Sequence, residues 1–83
     1  MKAANPFMQA AFAEAEAAQA AGEVPIGAVI VDGTTGEIIA RAGNRIIRDH
    51  DPTAHAEMLV IRAAAAARAN ERLGDCDLYV TLE

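Results

Sequence analysis

The sequence predicts an α/β fold, and three observations carry the prediction. An alanine-rich amphipathic stretch opens the chain. Two short apolar, β-branched runs follow on either side of a turn rich in glycine and threonine. A second helical stretch then leads into one more β-branched run. The order is therefore α-β-β-α-β. With 83 residues the chain is at most one small domain, and a core of that size is marginal.

The first helix is expected over 6–21. Asn5 can cap it, and Pro6 suits its first position because proline lacks the N–H that would have no partner there. Phe7, Ala11 and Ala15, with Met8 and Phe12, recur at spacings of four, while Gln9, Glu14 and Glu16 are polar; Gly22 ends the helix. The run VPIGAVIVD (24–32) reads as a strand buried on both faces. DGTTGE is turn chemistry, and IIARAGN supplies a second strand, so 24–43 is most simply a hairpin. After a loop over 45–52, Pro52 forces its predecessor into an extended conformation and Thr53 can cap the second helix. That helix is expected to reach about residue 70, with Met58, Ile61 and Ala65 inward and Arg62 and Arg68 outward. Leu73-Gly74-Asp75 breaks it, and CDLYVTL is a third strand. Strand, helix, strand in that order implies a parallel right-handed crossover.

Composition narrows the function. No run is long enough to span a bilayer, and the N-terminus lacks a secretory cleavage pattern, so a cytoplasmic location is expected. A single cysteine rules out an internal disulfide and fits a reducing compartment. The formal charge of −5 argues against a globally basic nucleic-acid binder. Arg41, Arg45 and Arg48 nevertheless cluster just upstream of His55, where they form either a solvated loop or a set of phosphate contacts.

The stretch DPTAHAEMLVIRAA carries the chemistry. It opens a helix with His55 and Glu57 in its first turns. A helix N-terminus presents unsatisfied N–H groups and a positive dipole end, which favour an anion. Neutral imidazole ligates zinc, and a nearby carboxylate can shuttle protons for an activated water. Residues two apart point about 200° apart on an ideal helix, so a helical wheel does not bring both to one point. By itself H-x-E is a weak signal and reads more readily as a capped surface or core histidine beside an unrelated glutamate. Gly-Asn at 43–44 is ordinary turn chemistry, Val24 is equally a core residue, and His50 reads as a loop residue rather than a ligand.

Four segments in this order, EVPIGAVIV, GNR, HDPTAHAE and LYVTLE, resemble the zinc-dependent cytidine deaminase superfamily. Within it the chain is most similar to the bacterial tRNA-specific adenosine deaminases, which convert adenosine to inosine at the anticodon wobble position. Zinc deaminases generally carry H-x-E followed by P-C-x-x-C. The resemblance implies a three-layer α/β/α fold, of which these residues form an N-terminal part of one deaminase domain (1–83) with an incomplete sheet. It implies a hydrolase acting on C–N bonds of cyclic amidines, with Zn2+ as cofactor. His55 is then a zinc ligand and Glu57 the catalytic acid/base. Asn44 contacts the flipped base, Val24 and Ala56 line its pocket, and Arg45 lies beside it.

The family's next residues would be P-C-x-x-C, whose thiolates complete the metal site, and this chain ends before them. Cys76, at the start of the third strand, is better read as a small buried hydrophobe than as a substitute ligand. The expected partners are a polypeptide carrying the P-C-x-x-C segment, a tRNA anticodon stem-loop, and a second copy in a homodimer of completed units. Without that segment the chain is expected to be inactive and, with much apolar surface exposed, to be poorly folded, aggregated or paired with a second polypeptide. Two other readings stand beside this one. One is part of a free-base deaminase acting on guanine or cytosine. The other is a non-catalytic module that binds a partner through a bare sheet edge.

Overall fold

Asn5 starts the first helix as its sequence predicts. Its side-chain oxygen accepts the N–H of Phe7 at 2.8 Å and that of Met8 at 3.4 Å, so two N–H groups of the first turn find an acceptor. In the computed structural model, which describes residues 5–70 and 72–81, this helix α1 spans Pro6–Ala20. Gly22, at φ 87°, then turns the chain back, and the Glu23 N–H closes onto the Ala18 carbonyl at 2.9 Å. The buried face of α1 consists of alanines only, at 11, 15 and 18. Phe12 is 50% exposed and flanks that face.

The strands are β1 (Gly27–Asp32), β2 (Ile38–Gly43) and β3 (Cys76–Val80), and the second helix, α2, is Ala56–Arg68. β1 begins at Gly27 rather than at Val24, because Val24-Pro25-Ile26 forms its own tight turn with Ile26 N–H on the Val24 carbonyl at 2.8 Å. Proline there offers no N–H to a ladder. The β1–β2 hairpin closes through Asp32, whose carboxylate accepts the N–H groups of Thr34 and Thr35, and through Gly36 at φ 78°.

The sheet order is β2-β1-β3, and both neighbours run antiparallel to β1. β2 and β3 therefore point the same way, as the strand-helix-strand order predicts. They are not adjacent, however, because the connection through α2 passes over β1 before β3 joins the sheet. As the central strand, β1 is buried on both faces. Val29 and Val31 pack with Ala11 on the α1 side, and Ala28 and Ile30 pack with Ala56, Val60 and Ala64 on the α2 side. This is the predicted three-layer α/β/α arrangement.

The inward face of α2 differs from the sequence expectation. Ala56, Val60 and Ala64 are buried, whereas Met58 and Ile61 are 41% and 38% exposed. Small residues and Val60 sit beneath the helix, packed with Ala28 and Ile30 of β1, and the longer side chains are turned to its flank. The helix also stops at Arg68, where Ala69 takes a left-handed conformation. Beside that flank a shallow, mostly apolar groove of about 310 Å3 runs between α2 and β3, lined by Ile30, Ile61, Leu73, Cys76, Asp77 and Leu78. Leu82 and Glu83, the end of the predicted third strand, lie outside the described residues. No described helix is long and apolar enough to cross a membrane.

Two paired glycines set the distance of α1 from the sheet. Gly27 and Gly43 are register partners in the hairpin. A Cβ on Gly27 would run into the Ala11 carbonyl, the Ala15 nitrogen and Glu14 Cβ. A Cβ on Gly43 would lie 2.7 Å from the Glu14 carbonyl and 3.0 Å from Ala18 Cβ. Backbone atoms of a helix cannot yield as a side-chain tip can. Gly27→Ala is therefore expected to cost about 1–3 kcal/mol or more through overpacking. Gly74→Ala, where a Cβ meets nothing within 4 Å, should stay within about 0.5 kcal/mol of wild type. Urea unfolding of the two variants side by side checks both.

Candidate active site

One end of the sheet gathers the residues that carry chemistry. The carboxyl ends of β2 and β3 flank the start of β1, since Gly43 pairs with Gly27, and Val80 with Ala28. Thr81 extends the β3 pairing. Its N–H donates to the Gly27 carbonyl at 3.0 Å, and its buried hydroxyl accepts the Gly27 N–H at 3.0 Å. The N-terminus of α2 comes to the same end. Carboxyl ends of strands are where open α/β sheets place their ligands.

Asn44 makes that meeting specific. It is 2% exposed and follows β2 directly. Its N–H donates to the Ile26 carbonyl at 3.1 Å, and its side-chain oxygen accepts the Ala56 N–H at 2.7 Å. The first amide of α2 is thus capped from the end of a strand and not from the helix's own N-cap residue. His55 occupies the N-cap position with extended backbone, φ −73° and ψ 148°, and makes no capping bond. Thr53, the predicted cap, is tied instead to Asp51, through its N–H at 2.9 Å and its hydroxyl at 2.7 Å. Those two donors, with burial opposing them, hold the Asp51 carboxyl below its ordinary range.

Because His55 lies outside the helical turn, the 200° argument against its meeting Glu57 does not apply to it. The imidazole is exposed, Glu57 is half-buried in the first turn, and neither side chain has a hydrogen bond or ion pair among the described residues. Both are uncommitted among the described residues. The other predicted residues divide. Val24 is 42% exposed, so it is not core and stands open beside this end of the sheet. The Ala56 methyl is fully buried under α2 in the core, so its contribution here is its backbone N–H. Arg45 N–H donates to the Ala54 carbonyl at 2.9 Å, and its Nε bonds both oxygens of Asp49 at 3.1 and 3.0 Å.

The three arginines do converge, on a cleft of about 260 Å3 between α1 and β2. Each already has an acid: Arg41 with Glu14 at 2.7 Å, Arg45 with Asp49 at 3.0 Å, and Arg48 with Glu23 at 3.2 Å. The cleft is therefore close to charge-balanced rather than strongly basic. Cys76 begins β3 opposite Asp32, at the far end of β1 from Thr81. Its sulfur receives Arg68 Nη1 at 2.8 Å, and burial pushes its thiol up despite that guanidinium. It is placed for packing rather than for the site.

Two residues of this region escaped the sequence reading. Thr81 interrupts an apolar run, a visible if weak sign. Glu23 directly follows the glycine that ends α1, and nothing local marks it as buried. Its carboxylate accepts the N–H groups of Ile47 at 3.1 Å and Arg48 at 2.8 Å, and Arg48 Nε at 3.2 Å. Burial pushes that carboxyl up, but these donors more than offset it and hold it below its ordinary range.

A fit to one ligand of a zinc site follows from this donor set. His55 offers a free imidazole at a helix start, and no group of three or more His, Cys, Asp or Glu capable of holding a metal occurs among the described residues.

Known proteins share both the sequence and the shape. Residues 1–83 match the family model described as the cytidine and deoxycytidylate deaminase zinc-binding region. A tRNA-specific adenosine deaminase of Agrobacterium fabrum is 54% identical over 77 residues, which are 93% of this chain and 49% of that protein. A solved structure from work on A-to-I editing by tRNA deaminases at the wobble position superposes with a TM-score of 0.88 at 54% identity, covering 94% of this chain and 58% of that one. A guanine deaminase of Bacillus subtilis gives the same TM-score, 0.88, at 38% identity, covering 99% of this chain and 52% of that one. The chain spans about half the length of the bacterial tRNA-specific adenosine deaminases it matches. With its whole length matched and its uncommitted His55 and Glu57 at the start of α2, the chain belongs to the cytidine and deoxycytidylate deaminase family through that family's zinc-binding region.

Proposed function

We propose that these 83 residues are the N-terminal part of a single deaminase domain that hydrolyses adenosine to inosine at the tRNA anticodon wobble position. The observation that carries this reading is a contrast. At equal structural likeness, the chain is 54% identical to the tRNA-editing structure and 38% identical to the guanine deaminase. The reaction replaces the amino group on adenine C6 with oxygen from water and releases ammonia. His55 would hold zinc together with two thiolates from a P-C-x-x-C segment outside these residues. When bound, the metal supplies a Lewis acid that acidifies the attacking water. Glu57 would take one proton from that water and deliver it to the ring nitrogen, then take the second from the hydroxyl now on C6 and deliver it to the amino group as that leaves as ammonia. Asn44 orients the base. Its side-chain oxygen is committed to the Ala56 N–H, so its amide nitrogen is the group left to donate to a ring acceptor. Val24 stands exposed where the base would lie, and Arg45 and Arg48 keep N–H groups for backbone phosphates beyond those spent on Asp49 and Glu23.

The open groove along β3, where Leu78 is 46% exposed, supports a further segment packing there. The completed units would form a homodimer and act in the cytoplasm.

The test combines this chain with the C-terminal half of the Agrobacterium relative and measures zinc content and inosine formation in an anticodon stem-loop, with each part alone and with a chelator as controls. Zinc and product are expected only in the combination, and the chelator should abolish turnover. A folded, zinc-loaded combination that forms no inosine but deaminates guanine or cytosine would establish the free-base reading instead. Parts that do not associate would point to a partner-binding module.

Three substitutions in the same combination separate the roles. Glu57→Ala should keep zinc and lose about 10²–10⁴-fold in turnover. His55→Ala should lose metal and activity together. Cys76→Ser should leave zinc content and rate near wild type, and metal loss in that variant would place the thiol in the site.

A further inference from the structure

Glu23 stands outside every role assigned above, yet it is the most deeply buried carboxylate in the described structure. Its side chain is 1% exposed. It grips the middle of the loop that joins Asn44 to His55. The two ends of that loop are tied together by Arg45 N–H on the Ala54 carbonyl at 2.9 Å. Between them, Ile47 and Arg48 donate their backbone N–H groups to Glu23. The Arg48 guanidinium then spans two partners. Its Nε meets the Glu23 carboxylate at 3.2 Å, and its Nη2 donates to the Asn44 carbonyl at 2.9 Å. From Asn44 the path continues through its side-chain oxygen to the Ala56 N–H, between His55 and Glu57.

We infer that Glu23 is a positioning residue for the deaminase site: acting through Arg48, it sets where Asn44 stands relative to the start of α2. This rests on the reading of Asn44 as the residue that orients the base. A carboxylate that accepts two backbone N–H groups and a guanidinium leaves the loop one arrangement, because any other would leave a buried charge short of donors. Asn44 in turn is held at three atoms, its N–H, its carbonyl and its side-chain oxygen, and only the side-chain nitrogen remains for a substrate. Displacements of about 1 Å at a substrate-positioning residue can cost on the order of a hundredfold in rate, so the anchor of that residue has a catalytic consequence without touching substrate.

The experiment uses the zinc-loaded combination described above, with wild type, Glu23→Gln, Asn44→Ala and the double variant. Glutamine keeps the shape and one acceptor oxygen but turns an NH2 toward the Arg48 donors. Glu23→Gln is expected to keep full zinc stoichiometry and to lose about ten- to hundredfold in kcat/KM, mainly through kcat. In the Asn44→Ala background the same change should cost nothing further, because the side chain it positions is gone. An unchanged kcat/KM, a loss that only tracks lost zinc, or an equal loss in both backgrounds would overturn the proposal. Hydrogen exchange at the Ala56 amide gives a reading that needs no substrate. It should be slow in wild type and faster in Glu23→Gln, and equal rates would also overturn the proposal, even if the wild-type combination makes no inosine and the assignment of function fails separately. If Glu23→Gln does not assemble, Arg48→Ala serves, since it keeps the carboxylate and its two backbone donors and removes the guanidinium that joins Glu23 to the Asn44 carbonyl. It must show the same faster exchange at the Ala56 amide, a reading that the loss of an Arg48 phosphate contact would not move, and wild-type exchange in it would refute the role.

Discussion

The close seating of α1 on Gly27 and Gly43 is the constraint from which the rest of the structure follows. Two Cα hydrogens, paired across the hairpin, form a floor that backbone atoms of Ala11, Glu14 and Ala15 approach directly. A helix can come that near only if its facing residues are also small, which is why Ala11, Ala15 and Ala18 line the contact while Phe12 is left at the side. Close packing of this kind gains dispersion contacts along its whole length but tolerates almost no added volume. It also fixes where α1 ends. From there Gly22 turns the chain back, and Glu23 is carried under the loop over 45–50.

Asn44 solves a different problem, the orphan donors at a helix start. A helix whose own N-cap residue satisfies its first amides loses that side chain to the backbone. Here the Ala56 amide is capped by Asn44, from a strand end twelve positions earlier. His55 is thereby left in the N-cap position with an extended backbone and a free imidazole. One hydrogen bond thus links three levels at once. It joins the sheet to the helix, supplies the missing cap, and leaves the His55 imidazole free.

The charges around the site are arranged in pairs rather than as a field. Arg41, Arg45 and Arg48 face one cleft, and Glu14, Asp49 and Glu23 neutralise them in turn. Exposed pairs of this sort contribute little to stability. The Arg48–Glu23 pair differs because the carboxylate is buried and its remaining lone pairs are used by backbone N–H groups. That pair organises a loop, whereas the others hold side chains in place. For an acidic chain, any affinity for an RNA backbone then rests on the guanidinium N–H groups left over from these pairs rather than on net charge.

Local chemistry in the sequence by itself determined the order of elements, the Asn5 cap, the Asp32 turn and the burial of β1, because caps, turns and β-branched runs act within a few residues of themselves, whereas His55 and Glu57 were singled out by the resemblance of their segment to a known family. The inward set of α2 was misread as Met58 and Ile61. Hydrophobicity alone does not say which side of a helix the sheet will meet, and the packing of Ala56, Val60 and Ala64 on Ala28 and Ile30 is a property of the assembled layers. Likewise the place of β3 beside β1 rather than β2, the capping of Ala56 by Asn44 in place of Thr53, and the burial of Glu23 were decided only by tertiary structure. Each depends on a partner between twelve and fifty-four residues away, and no local pattern in a single sequence encodes which distant donor an acceptor will meet.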